Sequence, residues 1–148
     1  MLLCLAIMLA TPALVTARIT RGWTYQEMFD DADLVVIARP TSTKDTEERS
    51  KVLDDIRVVG VLTQFETRLV LKGPKETTAF GLHHYRLEST DDLNIVNGPG
   101  LIDIQIHPHR VYTFFLFLRR EKDGVYVPVT DQTDPAGTSV IELPGGAM

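Results

Sequence analysis

The four histidines of the chain fall into two close pairs, His83-His84 and His107 with His109, and imidazole is the side chain here best suited to metal or proton chemistry. A zinc or copper site needs three or four such ligands converging on one point. Adjacent residues of a strand face opposite ways, so His83 and His84 cannot both join one site, and Pro108 disturbs strand geometry between His107 and His109. The candidate set is therefore His84, His107 and His109. It stands against the simpler reading that all four are solvated or hydrogen-bonded structural groups. The simpler reading is preferred, and no metal and no other cofactor is expected.

Carboxylates cluster at Asp30-Asp31-Asp33, Asp54-Asp55, Asp91-Asp92 and Asp131 with Asp134. A calcium loop needs six to eight oxygens in a regular spacing with a central glycine and a terminal glutamate, which none of these runs has. Asp131-Gln132-Thr133-Asp134 could hold a cation weakly at a hairpin end, but turn formation explains it better. Hydrolysis would require a nucleophile, a base and an orienting acid. Ser42, Ser50, Ser89 and Ser139 lie in no nucleophile-elbow motif, and no Gly-rich phosphate loop is present. No catalytic residue is assigned, and the chain reads as non-enzymatic. Aromatics offer another kind of site. Trp23, Tyr25, Tyr85, Tyr112 and Tyr126 would suit protein or glycan contact if exposed together, since a ring supplies large contact area. Trp23 reads equally well as a plug pinning a helix onto the sheet.

The elements that must position these groups follow from local pattern. Thr24-Tyr25-Gln26-Glu27 has the spacing of a capping box, which predicts a short helix from Tyr25 to about Asp30. Asp30, Asp31 and Asp33 oppose its extension because carboxylates at a helix C-terminus oppose the dipole. Leu34 to Ala38 is a β-branched apolar run read as a buried strand, and residues 41–50 read as a solvated loop. Ile56 to Leu71 forms the longest strand, with Phe65, Thr67, Leu69 and Leu71 on one face, Glu66, Arg68 and Val70 on the other, and a bend or bulge at Gly60. Lys72-Gly73-Pro74-Lys75 is a turn, and Thr77 to Leu87 is a further strand with Phe80, Leu82, His84 and Arg86 on one side. A loop from Glu88 to Gly100 precedes an alternating strand, Leu101 to His107. Val111 to Leu118 is apolar on both faces, as a central strand is. The Arg119 to Gly124 turn then returns the chain through Val125 to Val129 as a hairpin. Ser139 to Leu143 closes the chain as a short strand or helical turn.

These elements predict a mainly β fold, a small five- to six-stranded OB-like barrel with one short helix. Trp23 through Ala32-Asp33-Leu34-Val35-Val36-Ile37-Ala38-Arg39, Phe65 through Val70-Leu71-Lys72-Gly73, Tyr112 through Leu118, and Tyr126-Val127-Pro128-Val129 resemble bacterial exported domains related to the tissue inhibitor of metalloproteinases and netrin-module superfamily. The resemblance implies a TIMP-like five-stranded barrel over Trp23 to Leu143. The animal inhibitors chelate zinc through a mature N-terminal cysteine, whereas the expected mature chain starts at Arg18 and lacks cysteine, so protease inhibition is not carried over.

Compartment follows from the first residues. Met1 to Ala17 carries no charged side chain and ends in Val15-Thr16-Ala17, which reads as a secretory signal peptide, leaving 18–148 as one domain. The apolar run is too short to span a bilayer and is broken by Thr11-Pro12, so no stable span is expected after cleavage. Cys4, the single cysteine, lies inside that leader, and the mature domain must rely on its core alone. With 15 basic against 20 acidic residues and no basic cluster beyond Arg119, Arg120 and Lys122, nucleic-acid binding has little electrostatic support. The expected function is a non-enzymatic, exported binding or protein-interaction module, secreted, periplasmic or envelope-associated, with a protein as its partner. The alternatives are an envelope-associated structural domain and a histidine-based metal-binding or hydrolytic protein.

Overall fold

In the computed structural model, residues 22–52, 56–89, 101–102, 104–107, 110–131 and 139–144 are described. The leader, Cys4 and His109 therefore lie outside the described residues. Helix α1 (Tyr25–Asp31) is followed by β1 (Leu34–Val52), β2 (Ile56–Lys72), β3 (Ala79–Leu87), β4 (Thr113–Arg120), β5 (Tyr126–Pro128) and β6 (Val140–Leu143). Among the described residues no helix is long and apolar enough to cross a membrane.

The strands form a six-stranded sheet in the order β1-β2-β3-β5-β4-β6, and an additional antiparallel pairing of β1 with β4 folds the sheet over on itself. This corrects the expected OB-like, TIMP-like barrel. Closure needs a continuous ladder around the ring, but β3 and β5 meet in parallel through one register pair, Leu82 with Tyr126, and β6 adds outside the ring on β4. Among the described residues the fold is mainly β with six strands and one short helix, and the sheet does not close.

β4 is the central strand that its two apolar faces predict. Phe114, Leu116 and Leu118 enter one cluster with Leu34, Val36, Phe65 and Leu82, while Phe117 enters a second with Met28, Ala32, Val35 and Val129. Phe65 stacks on Phe80 at 5.3 Å and meets Phe114 edge-on at 6.0 Å, arrangements that suit the ring quadrupoles.

Three local expectations are overturned. Residues 41–50 are strand, not loop: β1 continues past Pro40 as an exposed arm laddered to the first half of β2. Hydrophobic patterning misses it because its side chains remain in water, and polar contacts hold it, Thr43 Oγ1 to Thr63 Oγ1 at 3.0 Å and Asp45 to the Arg86 guanidinium. On β2 the faces swap beyond Phe65. Ile37 pairs with Leu69 and Ala38 with Thr67, so Arg68 is bulged out; Val70 turns toward the core and Leu69 and Leu71 stay exposed. Finally, Leu101 to His107 is not a strand. Of Ile102, Ile104 and Ile106, which the alternation turns inward, the first two bury in the first cluster and Ile106 is exposed, and the described backbone there makes only isolated bridges.

Candidate functional site

The described histidines do not converge. His84 is buried and shares a 2.9 Å hydrogen bond between its Nε2 and Thr63 Oγ1, inside the sheet. His83 faces the other way, as the strand geometry requires, with its Nε2 3.1 Å from Glu48 Oε2. His107 is exposed, 3.2 Å from Gln105 Oε1 and beside the Tyr112 ring. Among the described residues no group of three or more His, Cys, Asp or Glu side chains is placed to hold a metal ion. Of the carboxylates considered at the hairpin end, Asp131 accepts a hydrogen bond from Arg119 at 3.1 Å, and Gln132, Thr133 and Asp134 are outside the described residues.

A groove does form at the aromatic residues around α1. The helix starts where the capping box places it: Thr24 Oγ1 accepts from the Glu27 amide at 3.2 Å, and the Glu27 carboxylate accepts from the Thr24 amide at 2.9 Å. It stops at Ala32, which is extended, and the Lys72 ammonium covers its open end by donating to the carbonyls of Phe29 at 2.6 Å and Asp30 at 2.9 Å. That cation at the C-terminus offsets the aspartates there.

Met28 is the buried residue of the helix and sinks into the second cluster, with Trp23 half-buried beside it. This fixes the rotation of the helix. Tyr25 and Phe29, four apart, are left on its flank with exposures of 62% and 37%. Facing them, β4 turns Phe115 and Phe117 outward, and Ile141 and Leu143 continue the surface from β6, paired with Phe115 and Thr113. Tyr25 stacks over Phe117 at 6.0 Å, and Phe115 lies 4.6 Å from Phe117. The result is a largely apolar groove of about 440 Å3. Its polar rim is Gln26, which donates to Asp30 at 2.9 Å, and Asp30 and Asp31 are both exposed.

The groove borders a sheet edge. β6 ends the strand order and pairs only with β4 among the described residues. Of the aromatics singled out in the sequence, Tyr25 lines the groove, and Trp23 packs against the second cluster beside the helix. Phe115 and Phe117 reach α1 from more than 80 residues away, β6 comes through its pairing with β4, and no local signal announces either. Tyr126 and Tyr112 do not join the groove, because both pack against the first cluster.

Comparison of the chain with protein-family models and with curated proteins finds no match. The resemblance to the tissue-inhibitor and netrin superfamily thus has neither a family match nor a closed barrel behind it, and it is withdrawn.

Proposed function

We propose that the protein is an exported, non-enzymatic interaction module that takes up an extended segment of a partner protein along β6. What supports this reading is the aromatic groove lying directly beside a sheet edge that carries no further strand among the described residues. An added strand gains main-chain hydrogen bonds from such an edge, and alternate side chains take up the adjoining apolar surface. Asp30, bonded to the rim residue Gln26, favours a basic residue flanking the apolar ones. Tyr25 and Phe29 are the anchors by type and exposure.

Selection from a displayed random peptide library against the purified protein tests the reading. Extended sequences with alternating apolar side chains and a flanking Lys or Arg should be enriched. They should shift the amide signals of residues 140–143 and bind about tenfold or more weakly to Tyr25→Ser and Phe29→Ser. Enriched peptides indifferent to both substitutions, or no enrichment, would overturn it. Export is tested separately by the mass of the protein recovered from outside the cytoplasm: a chain starting at Arg18 supports the leader, and one retaining Met1 sinks it.

A further inference from the structure

A second concavity, sharing no lining residue with the aromatic groove, opens on the outer face of β3. Glu48, His83 and Tyr85 form one wall of a volume of about 250 Å3, and Arg119, Glu121 and Asp131 form the other. Glu48 belongs to β1, which is separated from β3 by β2. It reaches across because β1 slips register between Asp45 and Arg49, and because Gly60 on β2 has no side chain beneath it. A Cβ at position 60 would lie 2.5 Å from Thr46 Oγ1 and 3.1 Å from both the Glu48 Cβ and His83 Nε2.

The walls are held before any ligand arrives. The Tyr85 hydroxyl donates to Glu48 Oε1, and an imidazole protonated on Nε2 donates to Oε2 across 3.1 Å. Burial and the Glu48 carboxylate push the Tyr85 phenol up to about 12, so it stays a donor at every physiological pH. Opposite, Asp131 sits at φ 66°, a left-handed conformation uncommon outside glycine, with its carboxylate on the Arg119 guanidinium. Val127 and Pro128 add apolar lining.

Three carboxylates against one guanidinium exclude an anion. Among the described residues no group of three His, Cys, Asp or Glu side chains is placed to hold a metal ion, and an organic cation would be set against the Arg119 guanidinium. Groups that both donate and accept fit without displacing anything: each carboxylate oxygen has two lone pairs, and the bond to Asp131 uses one of the five N–H groups of Arg119. The volume falls below the range of about 300–1,000 Å3 typical of drug-sized ligands, so the occupant is small. The geometry points to a site for a neutral polyhydroxylated ring, a pyranose, held between the Glu48 and Arg119 walls.

The test is an amide NMR titration of the purified protein with methyl glycosides of the common hexopyranoses, with acetylarginine amide and glutarate as cationic and anionic probes. At least one glycoside should produce saturable shifts at residues 83, 85, 119 and 131. Its affinity should fall about tenfold or more in both Glu121→Gln and Arg119→Met, two exposed positions, while their melting temperatures stay at the parent value and Tyr25→Ser leaves it unchanged. A short oligosaccharide of the same sugar binding more tightly than the glycoside identifies a glycan end as the source, and equal affinity identifies a free sugar. Absence of saturable shifts with every glycoside overturns the site, as does a response confined to the arginine or glutarate probe.

Discussion

A methyl group at position 60 would strike both the arm of β1 and the imidazole of β3, since Gly60 is where Thr46 and Glu48 cross β2. Gly60→Ala should destabilise the protein by about 1–3 kcal/mol through overpacking. Adding Thr46→Ala, which removes the nearest atom, should restore part of that loss in chemical denaturation; a double variant no more stable than Gly60→Ala would refute the crossing. Tyr85 supplies a pH signature of the same crossing. The folded state keeps the phenol proton more tightly than the unfolded chain does, because desolvation and the Glu48 carboxylate both oppose the phenolate. The resulting stabilisation is complete below about pH 10 and disappears as pH rises from about 10 to about 12. Ultraviolet titration should show one tyrosine ionising near that upper value. It should vanish in Tyr85→Phe and move down in Glu48→Gln.

At the level of elements, α1 is held by Met28 below, by its capping box in front and by Lys72 behind. Met28→Ala should cost about 2–5 kcal/mol and loosen the helix, with the Tyr25 ring signals losing their contact to Phe117 in NMR spectra. Unchanged ring contacts would mean that the caps alone dock the helix. The helix was legible because Thr24 and Glu27 write both of its cap bonds into four residues. β4 was equally legible, because a strand with Phe and Leu on both faces has to be covered twice. The arm at 41–50 was not, since its ladder rests on main-chain bonds and exposed polar pairs that leave no apolar trace. The alternating isoleucines at 102 and 104 misled in the opposite sense: they report burial correctly, but burial does not require a ladder. The period of two puts Leu69 and Leu71 on the face of Phe65, but a bulge at Arg68 shifts that period by one residue, and the sequence carries no mark of it. Of the polar concavity, His83, Tyr85, Arg119 and Asp131 each drew notice in the sequence for separate reasons, but nothing local brings them to one place.

For the whole molecule, the two apolar clusters are joined through β4, which gives Leu116 to one and Phe117 to the other. The clusters should therefore unfold together. Trp23, the single tryptophan, reports on the second cluster, and circular dichroism reports on the sheet. Their denaturation midpoints should coincide, and Leu116→Ala, which removes a side chain of the first cluster, should cost about 2–5 kcal/mol of stability and lower both midpoints equally. Separated midpoints would show two independent units.

The pairing of Leu34 with Leu118 also has a meaning in time. It joins the first strand to one that leaves the ribosome only after more than half of the 148-residue chain has been made. Until then β1, β2 and β3 can zip together as hairpins, but the surface of Leu34, Val36 and Phe65 lacks the cover that Phe114, Leu116 and Leu118 give it. The nascent chain is thus obliged to stay unfinished, and open to any factor that binds exposed apolar segments, until Phe114 to Leu118 emerges. Under the proposed export, that interval is when the chain can be threaded through a narrow membrane channel before folding.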